Sequence, residues 1–166
     1  MIAMRLVHVV SGVLWVGSVA FIAALLLPAL RATGPASGAV MQQMGKRIPP
    51  LMLTTSLLTV LSGLGLYARD SGGFSSSWMR SGQGLTFGTG GILALIAVIH
   101  GMAVNSPTGK RMGMLAAGME RAGGPAQPEQ MAEMQRLQAR LSRATTLAAA
   151  LLVSAAALMG VARYVR

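Results

Sequence analysis

The sequence predicts an all-α membrane protein: a polytopic four-transmembrane-helix bundle with a long cytoplasmic helical extension. Three observations predict it. Only 11% of the 166 residues are charged, against about 25% in an ordinary soluble domain. The 53% hydrophobic content excludes a disordered chain, which lacks the apolar surface to fold. Four stretches, Leu6–Leu30, Leu51–Ala68, Leu85–Val104 and Thr145–Ala162, contain no Asp, Glu, Lys or Arg. Each is close to or above the roughly 20 residues that a helix needs to cross a bilayer.

The first stretch is longer than the roughly 7–15 apolar residues of a signal peptide, so it reads as a retained span. The connection Arg31–Pro50 begins Arg-Ala-Thr-Gly34-Pro35 and ends Pro49-Pro50, which predicts that the prolines set the start of the second span. Arg69–Gly84 is rich in Gly and Ser. Trp78 within it and Tyr67 just before it are placed at the depth where aromatic belts sit. Asn105-Ser106-Pro107 is expected to stop the third span, because proline removes a donor and clashes with the preceding turn.

An amphipathic segment, 107–144, then precedes the fourth span. Met112, Leu115 and Met119 predict one short helix, and Gly123-Gly124-Pro125 a break. From Pro128 to about Tyr164 a single helix is expected, with Pro128 in its first turn and Glu129 and Glu133 near the positive end of its dipole. Met131, Met134, Leu137 and Leu141 recur at spacings of three and four, and Glu133 is spaced to pair with Arg136. That apolar stripe needs a partner, either the 109–122 helix or another subunit. The whole chain, 1–166, reads as one integral membrane domain without internal repeats.

Fourteen basic residues against four acidic ones give a net charge of +10. An even number of spans puts both termini on one side, with Arg5, Arg69, Arg80, Arg163 and Arg166. The other side carries Arg31, Lys46, Arg47, Lys110, Arg111, Arg121, Arg136, Arg140 and Arg143. The excess of basic residues makes that second side cytoplasmic. The chain is therefore expected in the bacterial cytoplasmic membrane, with both termini outside and loop 105–144 cytoplasmic. The implied partners are the lipid bilayer, whose anionic headgroups attract the charge, and other membrane protein subunits. Nucleic acid is not among them, since aromatics are only 4% and no basic patch is interleaved with them.

The chain has no cysteine, which removes disulfides and thiolate metal sites. With no charge inside the spans, an ion or proton pathway lacks its usual parts. No nucleophile–base pair, phosphate loop or paired carboxylates can be assembled, so no catalytic residue is assigned. Two histidines remain. His8 lies near the outer end of the first span and His100 deep in the third. A rise of 1.5 Å per residue separates them by about 20 Å in depth, too far to ligate one haem iron together. Each could alone hold a tetrapyrrole metal or copper; the structural alternative is a hydrogen bond to a neighbouring helix or a headgroup. His100, deeper and followed by Gly101, is the better-placed of the two.

Thirteen methionines include Met41-x-x-Met44, Met112-x-Met114 and Met131-x-x-Met134. Thioethers suit Cu(I), yet this helical spacing is that of methionines filling packing gaps. Met1, Met4 and His8 form the alternative copper constellation, with His8 and Met4 as metal ligands. Small residues are the most abundant signal. Gly84-x-x-x-Gly88, Ala156-x-x-x-Gly160, and Ser62 with Gly63 and Gly65 predict close helix packing in lipid.

His8-Val-Val-Ser-Gly-Val-Leu-Trp15-Val-Gly17, followed by Pro28, and Ile-Ala-Val-Ile-His100-Gly resemble the CopD-type copper-resistance membrane proteins and the related HemJ-type protoporphyrinogen oxidases. The resemblance covers two of the four spans. It implies copper handling, or a haem b site with His8 or His100 as ligand. The HemJ-type pattern has a Lys upstream of its later His, where this chain has Gly90-Gly91. The residues themselves favour a non-catalytic accessory subunit packed against a larger respiratory or photosynthetic membrane complex, in contact with a tetrapyrrole. The alternatives are a HemJ-like haem-binding protein and a CopD-like copper-handling protein.

Overall fold

The computed structural model describes residues 2–33 and 38–165, so Met1, Gly34-Pro35 and Arg166 lie outside the described residues. The described chain is helical with no strand, and four of its helical runs are long and apolar enough to cross a membrane.

Helix α1 (Ile2–Phe21) continues through a π-turn at Ile22–Leu26 into α2 (Leu27–Ala32). Helix α3 spans Gly38–Asp70 and α4 is a single turn at Ser76–Met79. Helix α5 (Gly82–His100) runs through a second π-turn, Gly101–Asn105, into α6 (Ser106–Ala122), and α7 spans Pro128–Val161. Helix α1 packs along α3 and α5 along α7, while contacts of α1 with α7 and of α3 with α5 close the ring. The arrangement is an up-down-up-down bundle.

Two expected breaks do not occur. The third span is not stopped at Asn105-Ser106-Pro107, because the π-turn before the proline absorbs its defect. There the Ser106 N–H bonds the Gly101 carbonyl, one residue further back than in an α-helix. The same device precedes Pro28, where the Leu27 N–H reaches the Ile22 carbonyl. Such a bulge widens the turn that a proline ring would otherwise clash with. Pro49-Pro50 likewise lie inside α3 rather than at its start. The carbonyls that lose their helical donors there belong to Gly45 and Lys46, at exposed positions.

Consequently the helices overrun the expected spans. The 41 residues from Gly82 to Ala122 make about 60 Å of helix at 1.5 Å per residue, about twice the hydrocarbon thickness. Beyond the apolar stretch α6 folds back on α7 through the turn at Gly123, whose φ of 64° ends α6 in the left-handed conformation glycine adopts freely. A reciprocal cap between Gln127 and Gln130 then starts α7. The apolar stripe of α7 is covered in part within the chain: Leu137 and Met112 are both buried where α6 and α7 pack together, while Met131 stays 40% exposed. Glu133 pairs with Arg111 of α6 at 2.8 Å, not with Arg136, because it lies on the face turned toward α6.

The core gathers Trp15 and Val19 of α1, Ala94 and Ala97 of α5, and Ala148, Leu152 and Ala155 of α7. Alanines around the one indole keep the helices close. Small residues do the same elsewhere. A Cβ on Gly90 would lie 3.2 Å from the Ala155 carbonyl oxygen, and one on Gly84 would collide with that of Trp78. Gly84 therefore admits the α4 turn directly against α5. Ser81 caps α5 there by accepting from the Gly84 N–H at 3.1 Å. Tyr67 holds the turn from α3, with its hydroxyl donating to the Gly84 carbonyl at 3.3 Å and its ring edge-on to Trp78.

Gly84→Ala should therefore lower stability in detergent by about 2 kcal/mol or more, since backbone has to move to admit the methyl. Gly91, with nothing within 4 Å of a Cβ, should accept alanine with no loss or a gain of up to about 1 kcal/mol. Thermal or denaturant unfolding of the two variants checks the contrast, and equal effects would contradict it.

Candidate functional site

Met4, His8, Ser11 and Trp15 recur at spacings of four and three, so they share one face of α1. That face lies on α3. Ser11 and Thr59 are buried, with their hydroxyls 3.0 Å apart. One turn on, the His8 ring lies over Gly63, where a Cβ would sit 2.8 Å from Cε1. A further turn on, Met4 Sδ occupies the space over Gly65, 3.1 Å from where a Cβ would be. Glycine at 63 and 65 is thus what makes room for the His8 ring and the Met4 thioether.

The His8 Nδ1 lies 2.9 Å from the Thr59 carbonyl oxygen and 3.3 Å from the Ser62 hydroxyl. A carbonyl only accepts, so in the neutral ring the proton sits on Nδ1 and the lone pair is on Nε2. Nε2 has no hydrogen-bond partner among the described residues. This is the arrangement by which a backbone carbonyl orients a ligating imidazole and fixes its tautomer. His100 is held the other way. Its Nε2 lies 3.2 Å from the Ala144 carbonyl oxygen of α7, which leaves only Nδ1, the nitrogen nearer its own backbone, with a lone pair. The two rings are therefore held through opposite nitrogens, His8 through Nδ1 and His100 through Nε2.

The histidines occupy different seams, α1–α3 and α5–α7. Among the described residues no three His, Asp or Glu gather to hold a metal ion. The residues present therefore fit a group that takes one imidazole, with Met4 the nearest thioether on the same face. Of the paired methionines, Met112 and Met114 face different surroundings: Met112 is buried while Met114 is 67% exposed.

The small-residue pairs divide. Gly84 and Gly88 face inward, Gly88 onto the Tyr67 hydroxyl, and Ser62 and Gly65 belong to the α1–α3 seam. Ala156 and Gly160 face outward, with nothing within 4 Å of a Cβ on Gly160. Near the His8 end of the bundle an open cleft is lined by Arg5, Asp70, Trp78, Gln83 and Arg163, with Arg5 and Asp70 3.6 Å apart.

Sequence reasoning passed over Ser11, Thr59, Asn105 and Thr145. The Asn105 amide donates to the Thr145 hydroxyl at 3.3 Å beside the second π-turn. The signal for the first pair was present in the spacing of Ser11 with His8 and of Thr59 with Ser62 and Gly63. No family model, curated protein or solved structure matches the chain.

Gly63→Ala should destabilise the protein that carries His8 and cost little in a His8→Ala background. The double-mutant cycle is expected to give a coupling of about 1 kcal/mol. Additive effects in unfolding measurements would mean that the ring does not rest on Gly63.

Proposed function

We propose that the chain is a non-catalytic subunit of a larger membrane complex, respiratory or photosynthetic in kind, docked through the outer face of α7. The observation that carries this reading is the open Ala156-x-x-x-Gly160 face. The other small-residue pairs are consumed inside the bundle, whereas this one is free to admit the backbone of a transmembrane helix from another subunit. The chain lies in the bacterial cytoplasmic membrane with both termini outside, and the α6–α7 hairpin projects into the cytoplasm. The nine-to-five split of basic residues supports that orientation.

A second reading is favoured by one observation, the unengaged Nε2 of His8. On this reading His8 supplies a single axial ligand to a haem or another tetrapyrrole, or with Met4 a copper site, in line with the HemJ-type and CopD-type resemblance. The Thr59 carbonyl then orients the ring and Gly63 gives it room.

Mild-detergent purification from native membranes tests both. The first reading expects the chain to elute with larger membrane subunits. Gly160→Leu should release it as a folded free chain with unchanged thermal stability, because nothing lies within 4 Å of a Cβ at that exposed position. A wild-type chain that elutes alone overturns this reading. A Soret band or stoichiometric copper lost on His8→Ala, but retained in His100→Ala, would establish the second.

A further inference from the structure

We infer that the cleft between the end of α2 and α7 binds the phosphate of an anionic phospholipid headgroup. The inference rests on the four helices spanning a bilayer and is independent of any partner subunit. Arg31, Gln135, Gln138, Ala139, Ser142 and Arg143 line an open cleft of about 330 Å³. Arg31 follows directly on the apolar run that ends at Leu30, and Arg143 stands just before the one that begins at Thr145. Because α2 and α7 run in opposite directions, both arginines meet at the same bilayer boundary, where lipid phosphates lie.

The charge of the cleft is uncompensated. No acidic side chain lines it, and among the described residues the ion pairs are Arg5–Asp70 and Arg111–Glu133. Glu133, the acid nearest in sequence, is committed to α6. Arg31 is positioned rather than neutralised, since one Nη2 hydrogen goes to the Gln138 carbonyl at 3.4 Å and its remaining N–H groups are available. Two guanidiniums offer the paired donors that match phosphate oxygens, and Gln135, Gln138 and Ser142 add neutral donors. Leu147, one turn from Arg143 on the bilayer side, is half exposed and gives an acyl chain a surface to follow. The Arg5 and Arg163 cleft at the opposite end lacks this bias, because Asp70 lies within it. Basic pockets between transmembrane helices at the cytoplasmic boundary are a recognised way to hold anionic headgroups.

Native mass spectrometry of the full-length protein from neutral detergent, with phosphatidylglycerol and phosphatidylcholine added in equal amounts, tests the site. The wild-type chain should retain phosphatidylglycerol preferentially. Arg31→Gln with Arg143→Gln should reduce that preference about thirty-fold, while Arg163→Gln leaves it in place. Equal retention of the two lipids by the wild type overturns the inference and requires no mutant. So does a double-variant change below about threefold, or an equal loss in Arg163→Gln. Displacement of phosphatidylglycerol by an equal concentration of inorganic phosphate overturns the lipid assignment in favour of a free-phosphate site.

Discussion

Inside a bilayer an apolar side chain gains nothing by leaving lipid for protein, so four apolar helices hold together only through close contact and hydrogen bonds between them. The α1–α3 and α5–α7 seams, and the approach of α4 to α5, meet that constraint by giving up side-chain volume. Gly63 and Gly65 admit His8 and Met4, Gly90 admits the backbone of α7, and Gly84 admits the α4 turn. The polar groups that then come within reach, Ser11 with Thr59 and Asn105 with Thr145, bond across the seams. Few side chains are fully enclosed; Leu152 in the core around Trp15 and Ser71 at the end of α3 are the largest of them among the described residues.

The same constraint governs the backbone. A carbonyl deprived of its donor by proline is costly in hydrocarbon. Pro28 and Pro107 each stand two residues beyond a π-turn, and both turns pack against α7. Rather than breaking the helices, the prolines re-register them. The third span is thereby extended as a rigid rod into α6, where the packing changes character. Met112 and Leu137 are buried between α6 and α7, and Arg111 pairs with Glu133. Basic side chains collect along this extension and at its base, while the His8 end carries the aromatic turn of Tyr67 and Trp78.

Much of the fold was legible. The four apolar runs, the turn at Gly123 and the start of α7 at Pro128 follow from hydropathy and from residues with few backbone options. What was not legible depends on a second helix. A proline reads as a stop until a π-turn supplies the alternative register, which no local pattern specifies. Gly84-x-x-x-Gly88 and Ala156-x-x-x-Gly160 look alike in sequence, and only the folded chain puts Tyr67 and Trp78 over the first and leaves the second open. The two histidines are likewise ordered by carbonyls on other helices: Thr59 takes Nδ1 of His8, and Ala144 takes Nε2 of His100.

Helix α1 lies on α3 at hydrogen-bonding distance along the face that presents His8. The chain has no cysteine of its own, so a pair can be introduced without background. With Ser11→Cys and Thr59→Cys in native membranes, oxidation should form an intramolecular disulfide rapidly and nearly completely, because the hydroxyls they replace are 3.0 Å apart. A Ser11→Cys and Ser154→Cys pair should not form one. Failure of the first pair to cross-link, or equal cross-linking of both, would contradict the seam and with it the placement of His8.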